Sequence, residues 1–165
     1  FIGQTTDTVT FNGTATFTDN TGTGIILNGS ANAKIVFADG ATFDSNTNNQ
    51  NGSLVNAGNV SLNGGDFIFT NNTGSNGGGL KNSGTVTANT AGNILFSSNT
   101  TTSSAGALDN GGAITLTATQ TTFTNNTANA GYGGAIFNAG DLSILGQNKV
   151  GVGTNQFAKR TGRPV

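Results

Sequence analysis

Residues 123–138 read FTNNTANAGYGGAIFN, and the two signals in that stretch recur along the chain. The first, F-x-x-N, stands at Phe17–Asn20 (FTDN), Phe43–Asn46 (FDSN), Phe69–Asn72 (FTNN), Phe96–Asn99 (FSSN) and Phe123–Asn126 (FTNN). Successive Phe are 26, 26, 27 and 27 residues apart. The second signal ends at Asn28, Asn56, Asn82, Asn110 and Asn138. Gly24, Gly52, Gly78, Gly106 and Gly134 stand four residues before those Asn, and Ile26, Leu54, Leu80, Leu108 and Ile136 stand two before. Between the aliphatic residue and the Asn the chemistry is free: Leu27, Val55, Lys81, Asp109 and Phe137. Fixed positions alternating with free ones describe a strand with one buried and one wet face.

Working outward, four repeats place Gly two residues past the second Asn (Gly58, Gly84, Gly112, Gly140), followed by residues two apart: Val60/Leu62, Val86/Ala88, Ile114/Leu116 and Leu142/Ile144. The first repeat has an insertion here and uses Ile35/Phe37, while Val9/Phe11 precedes Phe17 as Ile35/Phe37 precedes Phe43. Each repeat is therefore three short strands joined by Asn/Gly corners. A three-strand turn of 26–27 residues closes into one rung of a parallel β-helix, with rungs about 4.8 Å apart and each column of the repeat forming a ladder. Gly, Thr and Asn are poor helix formers and the apolar period is two, so helical readings fail. The fold expected is all-β: a right-handed parallel β-helix of five to six rungs, its hand inferred from parallel crossovers. Rungs start near residues 14, 40, 66, 93 and 120, and the repeat domain covers 1–146. Residues 147–165 carry four of the six basic residues and the only Pro, and are expected to form a cap, a linker or an arm for a neighbouring subunit.

Composition excludes much chemistry. The 165 residues include no Cys, His, Met, Trp or Glu; the charges are seven Asp, four Lys and two Arg. Zinc, haem and iron–sulfur sites lose their usual ligands, and common nucleophile–base pairs lose their base. No cofactor or metal is expected. A net charge of −1 makes no electrostatic case for nucleic acid, and no run of about 18 apolar residues predicts a transmembrane helix. No basic and apolar leader precedes Phe1, so a secretion signal is expected to have lain upstream or been removed. The Asn/Thr/Gly-rich, weakly charged composition suggests an extracellular or cell-surface protein.

The columns have assignable roles. Phe17, Phe43, Phe69, Phe96 and Phe123 should stack inside the tube. Asn20, Asn46, Asn72, Asn99 and Asn126, like the second Asn column, should mark corners, by tolerating left-handed backbone or by bonding their amides to backbone and to the next rung. The Gly column should mark positions where a Cβ would strike the opposite wall, or backbone with positive φ. One loop, 21–23, 47–51, 73–77, 100–105 and 127–133, lengthens along the chain, and Tyr132, the only Tyr, lies in its longest member. That makes Tyr132 a candidate contact residue. Val9 and Phe11, on the first strand, are a candidate assembly edge.

The pairing of GGA[I/L/V] with FxxN, here Gly133-Gly134-Ala135-Ile136 with Phe123-Thr124-Asn125-Asn126, resembles the repeat of the chlamydial polymorphic outer membrane proteins. Looser copies are Ala105-Gly106-Ala107-Leu108 and Gly77-Gly78-Gly79-Leu80, and the resemblance spans about residues 14–146. It implies an autotransporter passenger: a secreted, outer-membrane-associated adhesin that can oligomerise. Chlamydial members usually carry cysteines and a terminal β-barrel, and neither is found here. The expectation is a fragment, a processed passenger, or a relative using the same rung otherwise.

The functional expectation is a non-catalytic surface protein, either adhesin-like or a rigid spacer, with a receptor on a host or neighbouring cell. The alternative is a filament subunit built by end-to-end stacking. A polysaccharide-cleaving enzyme would need paired carboxylates, or Ca²⁺ with a basic residue. Of the seven Asp, the best cases are Asp19 with Asp44 and Asp39 with Asp66, read as sharing or neighbouring a column. Ice binding would need two parallel Thr files on one face. The third strand offers only one, Ser61, Thr87, Thr115 and Ser143. Seven N-x-[S/T] sequons occur, at Asn12, Asn28, Asn51, Asn59, Asn71, Asn99 and Asn125; Asn28 and Asn99 fall in columns expected to be inaccessible.

Overall fold

Alternating inward and outward residues, repeated at a fixed period, leave each strand one partner on either side: its own equivalents in the neighbouring rungs. The computed structural model has this architecture and describes residues 7–23, 26–150 and 157–159. All of its strand pairs are parallel, and the chain winds into an all-β solenoid of about five turns. The Phe strands (Ala15–Thr18, Ala41–Asp44, Phe67–Thr70, Asn93–Ser97) pair in rung order, with Phe17, Phe43, Phe69, Phe96 and Phe123 in one register. The strands ending in the second Asn (Ile26–Asn28, Leu54–Asn56, Leu80–Asn82, Leu108–Asn110, Ile136–Asn138) form a second sheet. The third strands (Thr8–Phe11, Lys34–Phe37, Asn59–Gly64, Thr85–Thr90) align Val9 with Ile35, Val60 and Val86. The insertion in the first repeat is thus absorbed before Lys34 without shifting the core.

Two features go beyond three strands per rung. A two-residue strand follows each first Asn (Thr21–Gly22, Thr47–Asn48, Thr73–Gly74, Thr100–Thr101, Thr127–Ala128), and these form a narrow sheet of their own. The third strand and the Phe strand also fuse into one, Ala113–Thr124, which joins their sheets into a single folded wall of ten strands. Pairing does not stop at Gly146. The strand Asp141–Val150 continues along Ala113–Thr124 and places Val150 opposite Phe123, and Phe157–Lys159 pairs with Ile136–Asn138. No FxxN marks this turn, so the sequence pattern ends before the strand ladder does.

The core is a column of rings flanked by aliphatics. Stacked centroids lie 4.9 Å apart for Phe17–Phe43 and Phe43–Phe69, 4.7 Å for Phe69–Phe96 and 5.0 Å for Phe96–Phe123. Interplanar angles of 2°, 7° and 1° over the last three pairs mean that successive rungs barely rotate. Neighbouring strands in an ordinary sheet twist by roughly 20–25°. Phe37 and Phe67 add edge-on contacts, and Phe11 stacks on Phe37. Rings 43, 69, 96 and 123 are buried, whereas Phe11 and Phe17, at one end, are half-buried.

Candidate functional site

The repeated polar residues are consumed by the fold. Asn46, Asn72, Asn99 and Asn126 each accept, on Oδ1, the backbone N–H and the Nδ2 of the column Asn one rung earlier. Each also donates Nδ2 to the carbonyl of the preceding rung's Phe. In the second ladder, Nδ2 of Asn28, Asn56, Asn82 and Asn110 donates at 2.8 Å to Oδ1 of the next Asn, up to Asn138. Every Asn-to-Asn side-chain bond along both ladders points the same way, from the donor Nδ2 toward the C-terminal end. Buried amides satisfied in this manner define register and leave no capacity for a ligand.

Two sequence expectations are corrected here. Left-handed backbone belongs to the residue before the first Asn, not to the Asn itself: Asp19, Ser45, Asn71, Ser98 and Asn125 have φ of 53–56°. These residues are all short and polar, the side chains best able to tolerate that conformation. The D/S/N/S/N column is legible at the third position of each F-x-x-N. Second, a Cβ at Gly52, Gly78 or Gly106 would strike the carbonyl oxygen of Gly77, Gly106 or Gly134 respectively. The obstruction is therefore the backbone of the next rung, not the opposite wall. Gly24 lies outside the described residues, and Gly134 takes part as the oxygen that Gly106 would meet.

The outward columns differ from rung to rung. Loops 73–77, 100–105 and 127–133 bond to one another through Ser103 N to Ser75 O, Gly77 N to Ser104 O and Ala105 N to Tyr132 O. They build a continuous ridge beside the second sheet. Tyr132 stands on it, 74% exposed. On the adjoining outward column, Lys81 reaches back to Asn51 Oδ1 at 2.8 Å. Asp109, in register with Lys81, is half-buried; burial pushes its carboxyl above the usual range, with Lys81 opposing. Asp44 is shifted the other way, because the Thr70 hydroxyl donates to it, with Asn71 and Ser45 adding to that effect and burial opposing.

Asp19 and Asp44 do not share a register position, whereas Asp39 lies one position from Asp66, whose neighbour Phe67 pairs with Ala41. Asp44 aligns with Thr18, so Asp19 sits one position further on. Asp66 faces the next rung instead, accepting from Asn93 N. Among the described residues, no three His, Cys, Asp or Glu gather as a metal site, and no helix is long and apolar enough to cross a membrane. The Thr files were undercounted. Outward from the Phe strands run Thr16, Thr42, Ile68, Leu95, Thr122 and Thr18, Asp44, Thr70, Ser97, Thr124, and Thr21, Thr47, Thr73, Thr100, Thr127 form a file on the narrow sheet. The signal was the residue on either side of each Phe and the one after each first Asn. Of the sequon asparagines, Asn28 and Asn99 are fully buried.

No family model, curated protein or solved structure matches the chain. Functional argument therefore rests on the columns themselves.

Proposed function

We propose that the chain is a non-catalytic segment of an extracellular surface protein, an adhesin-like passenger in which the solenoid is a stiff spacer presenting the loop ridge to a receptor on a host or neighbouring cell. The observation behind this reading is the division of labour between columns. Inward residues repeat and are spent on stacking and amide ladders, while the loops along one ridge lengthen and diversify toward Tyr132. Parallel rings at 4.7–5.0 Å support stiffness, since bending the rod would open contacts along the whole stack. Loops on a rigid scaffold are where recognition concentrates. The resemblance to outer-membrane passengers supports the same setting.

The test is adhesion of beads coated with the purified chain to panels of epithelial and bacterial cells. Replacing loop 127–133 by the shorter 73–77 sequence should abolish adhesion while leaving the melting curve nearly unchanged. Adhesion that is absent from the wild-type chain on every cell type, or indifferent to the loop exchange, would sink this reading.

A further inference from the structure

Asn51, at the end of loop 47–51, is held unusually firmly for a loop residue. Asn48 is buried beneath it, accepts the N–H groups of Gln50 and Asn51 on its Oδ1, and donates Nδ2 to Gly52 O. One amide therefore fastens the backbone on both sides of Asn51. From the next rung, the Ser75 hydroxyl donates to Gln50 O. The Asn51 side chain has a single bond: its Oδ1 accepts from Lys81 Nζ at 2.8 Å, and among the described residues its Nδ2 donates to none.

Lys81 is fixed as well. It projects outward from the strand Leu80–Asn82, whose other two residues are buried in the core and in the amide ladder. In its column Val55 stands on one side and Asp109 on the other, with Phe137 beyond. All four are half-buried. The backbone at Gly77 closes over Asp109, where an added Cβ would come within 3.0 Å of Asp109 Cβ and N. Burial raises the proton affinity of the Asp109 carboxyl, with Lys81 opposing.

A primary amine, a carboxamide and a carboxyl thus share one corner of two adjoining rungs. The amide carbon lies one C=O bond, about 1.2 Å, from Oδ1, so Nζ is no more than about 4 Å from that carbon. Attack requires a separation of about 3–3.5 Å, and rotation at the end of the lysine chain closes the difference.

We infer that Lys81 and Asn51 join in an intramolecular isopeptide bond that staples neighbouring rungs of the solenoid. The Nζ–Cγ bond forms, the Cγ–Nδ2 bond breaks, and Nδ2 departs with its bonding electron pair. The Lys81 ammonium gives up two protons. One passes first to the Asp109 carboxylate, which frees the amine and turns the half-buried ion pair neutral. Both end on the departing nitrogen, which leaves as ammonium, and Asp109 is restored to its carboxylate. No oxidant or cofactor is needed. The bond closes the 30-residue span between the two side chains and ties the loop ridge to the second sheet, so the rungs cannot part there. The reaction occurs once per chain. It goes beyond the spacer reading and needs no receptor.

Intact-mass measurement of the purified chain tests this. Wild type should be lighter than its sequence by one ammonia. A digest should yield a branched peptide joining the segments of Asn51 and Lys81, with trypsin failing to cut after Lys81. Lys81→Arg keeps the positive charge but holds its protons too tightly to attack, and should show the full sequence mass. Asn51 precedes Gly52, and cyclisation of such a pair to a succinimide also releases ammonia. That loss would survive Lys81→Arg and give no branched peptide. Either result would overturn the inference, as would wild type at its full sequence mass. In chain made by cell-free synthesis and sampled over time, Asp109→Asn should slow the ammonia loss at least about tenfold and Asp109→Glu should restore it. Circular dichroism should report the same solenoid in every variant. Equal rates in wild type and a folded Asp109→Asn would overturn the part given to Asp109. None of these outcomes bears on the adhesion test.

Discussion

At the scale of single residues, the two repeated inward side chains hold the solenoid by different means. Phe69 is fully buried between two parallel rings, so Phe69→Ala should cost about 3–5 kcal/mol in chemical denaturation through the cavity it leaves. Thr87→Ala, on the exposed side of a third strand, should change stability by less than about 0.5 kcal/mol. Asn82 is the polar counterpart. Its Nδ2 donates to Gly84 O, Asn110 Oδ1 and Ala113 O, and Asn82→Asp removes the two N–H groups that serve those three acceptors and leaves a buried carboxyl among oxygens. Burial raises the folded-state pKa of such a group above its unfolded value, so the folded state binds the extra proton and the variant gains stability as pH falls. The loss at pH 7 should reach about 3–5 kcal/mol and shrink toward pH 4. A pH-independent loss would mean that the site admits water. Both ladders were legible in the sequence because each demands one residue type at a fixed interval. The left-handed corner residue was not, since Asp, Ser and Asn satisfy one backbone requirement with three identities.

At the scale of strands and corners, what can be read depends on whether the backbone or the side chain sets the constraint. The third strands kept register despite an insertion because Ile35/Phe37 still falls in the column of Val60/Leu62. The last turn is not legible as a repeat because Val150 holds the register position of Phe123 and Lys159 that of Asn138, while the backbone ladder tolerates both. The narrow sheet went unseen because two-residue strands have no alternation to detect. Corner glycines answer to the backbone alone. Gly106→Ala should destabilise by about 1–3 kcal/mol, its methyl meeting Gly134 O and the Thr127 backbone, and melting within 1 °C of wild type would show that the rungs can part there. On the outward column, Asp109 has its folded pKa raised by burial against the pull of Lys81. The sign is therefore that of a destabilising charge: the cost is present above the folded pKa and vanishes below the unfolded one. Asp109→Asn should stabilise the protein at pH 7, with the difference fading by about pH 4 in paired urea titrations. Asp44, whose pKa is lowered by Thr70, should behave in the opposite way, with Asp44→Asn destabilising at neutral pH and becoming neutral in acid.

At the scale of the whole molecule, a solenoid has neighbours but no centre. Each rung contacts only the rungs beside it, so stability is a sum of rung and interface terms and unfolding can begin at either end. The rings record this gradient: Phe43, Phe69 and Phe96 are enclosed on both sides, while Phe17 is half-buried and has a stacked partner on one side. Amide hydrogen exchange should accordingly be slowest for Phe67–Thr70 and Asn93–Ser97 and quicken toward Thr8–Phe11 and Asp141–Val150. Phe17→Ala should cost less than half of Phe69→Ala, because the end rung can fray without exposing the rungs behind it. Equal protection along the rod would mean that the solenoid unfolds as one block, and nearest-neighbour coupling would then be the wrong description of how it is held together.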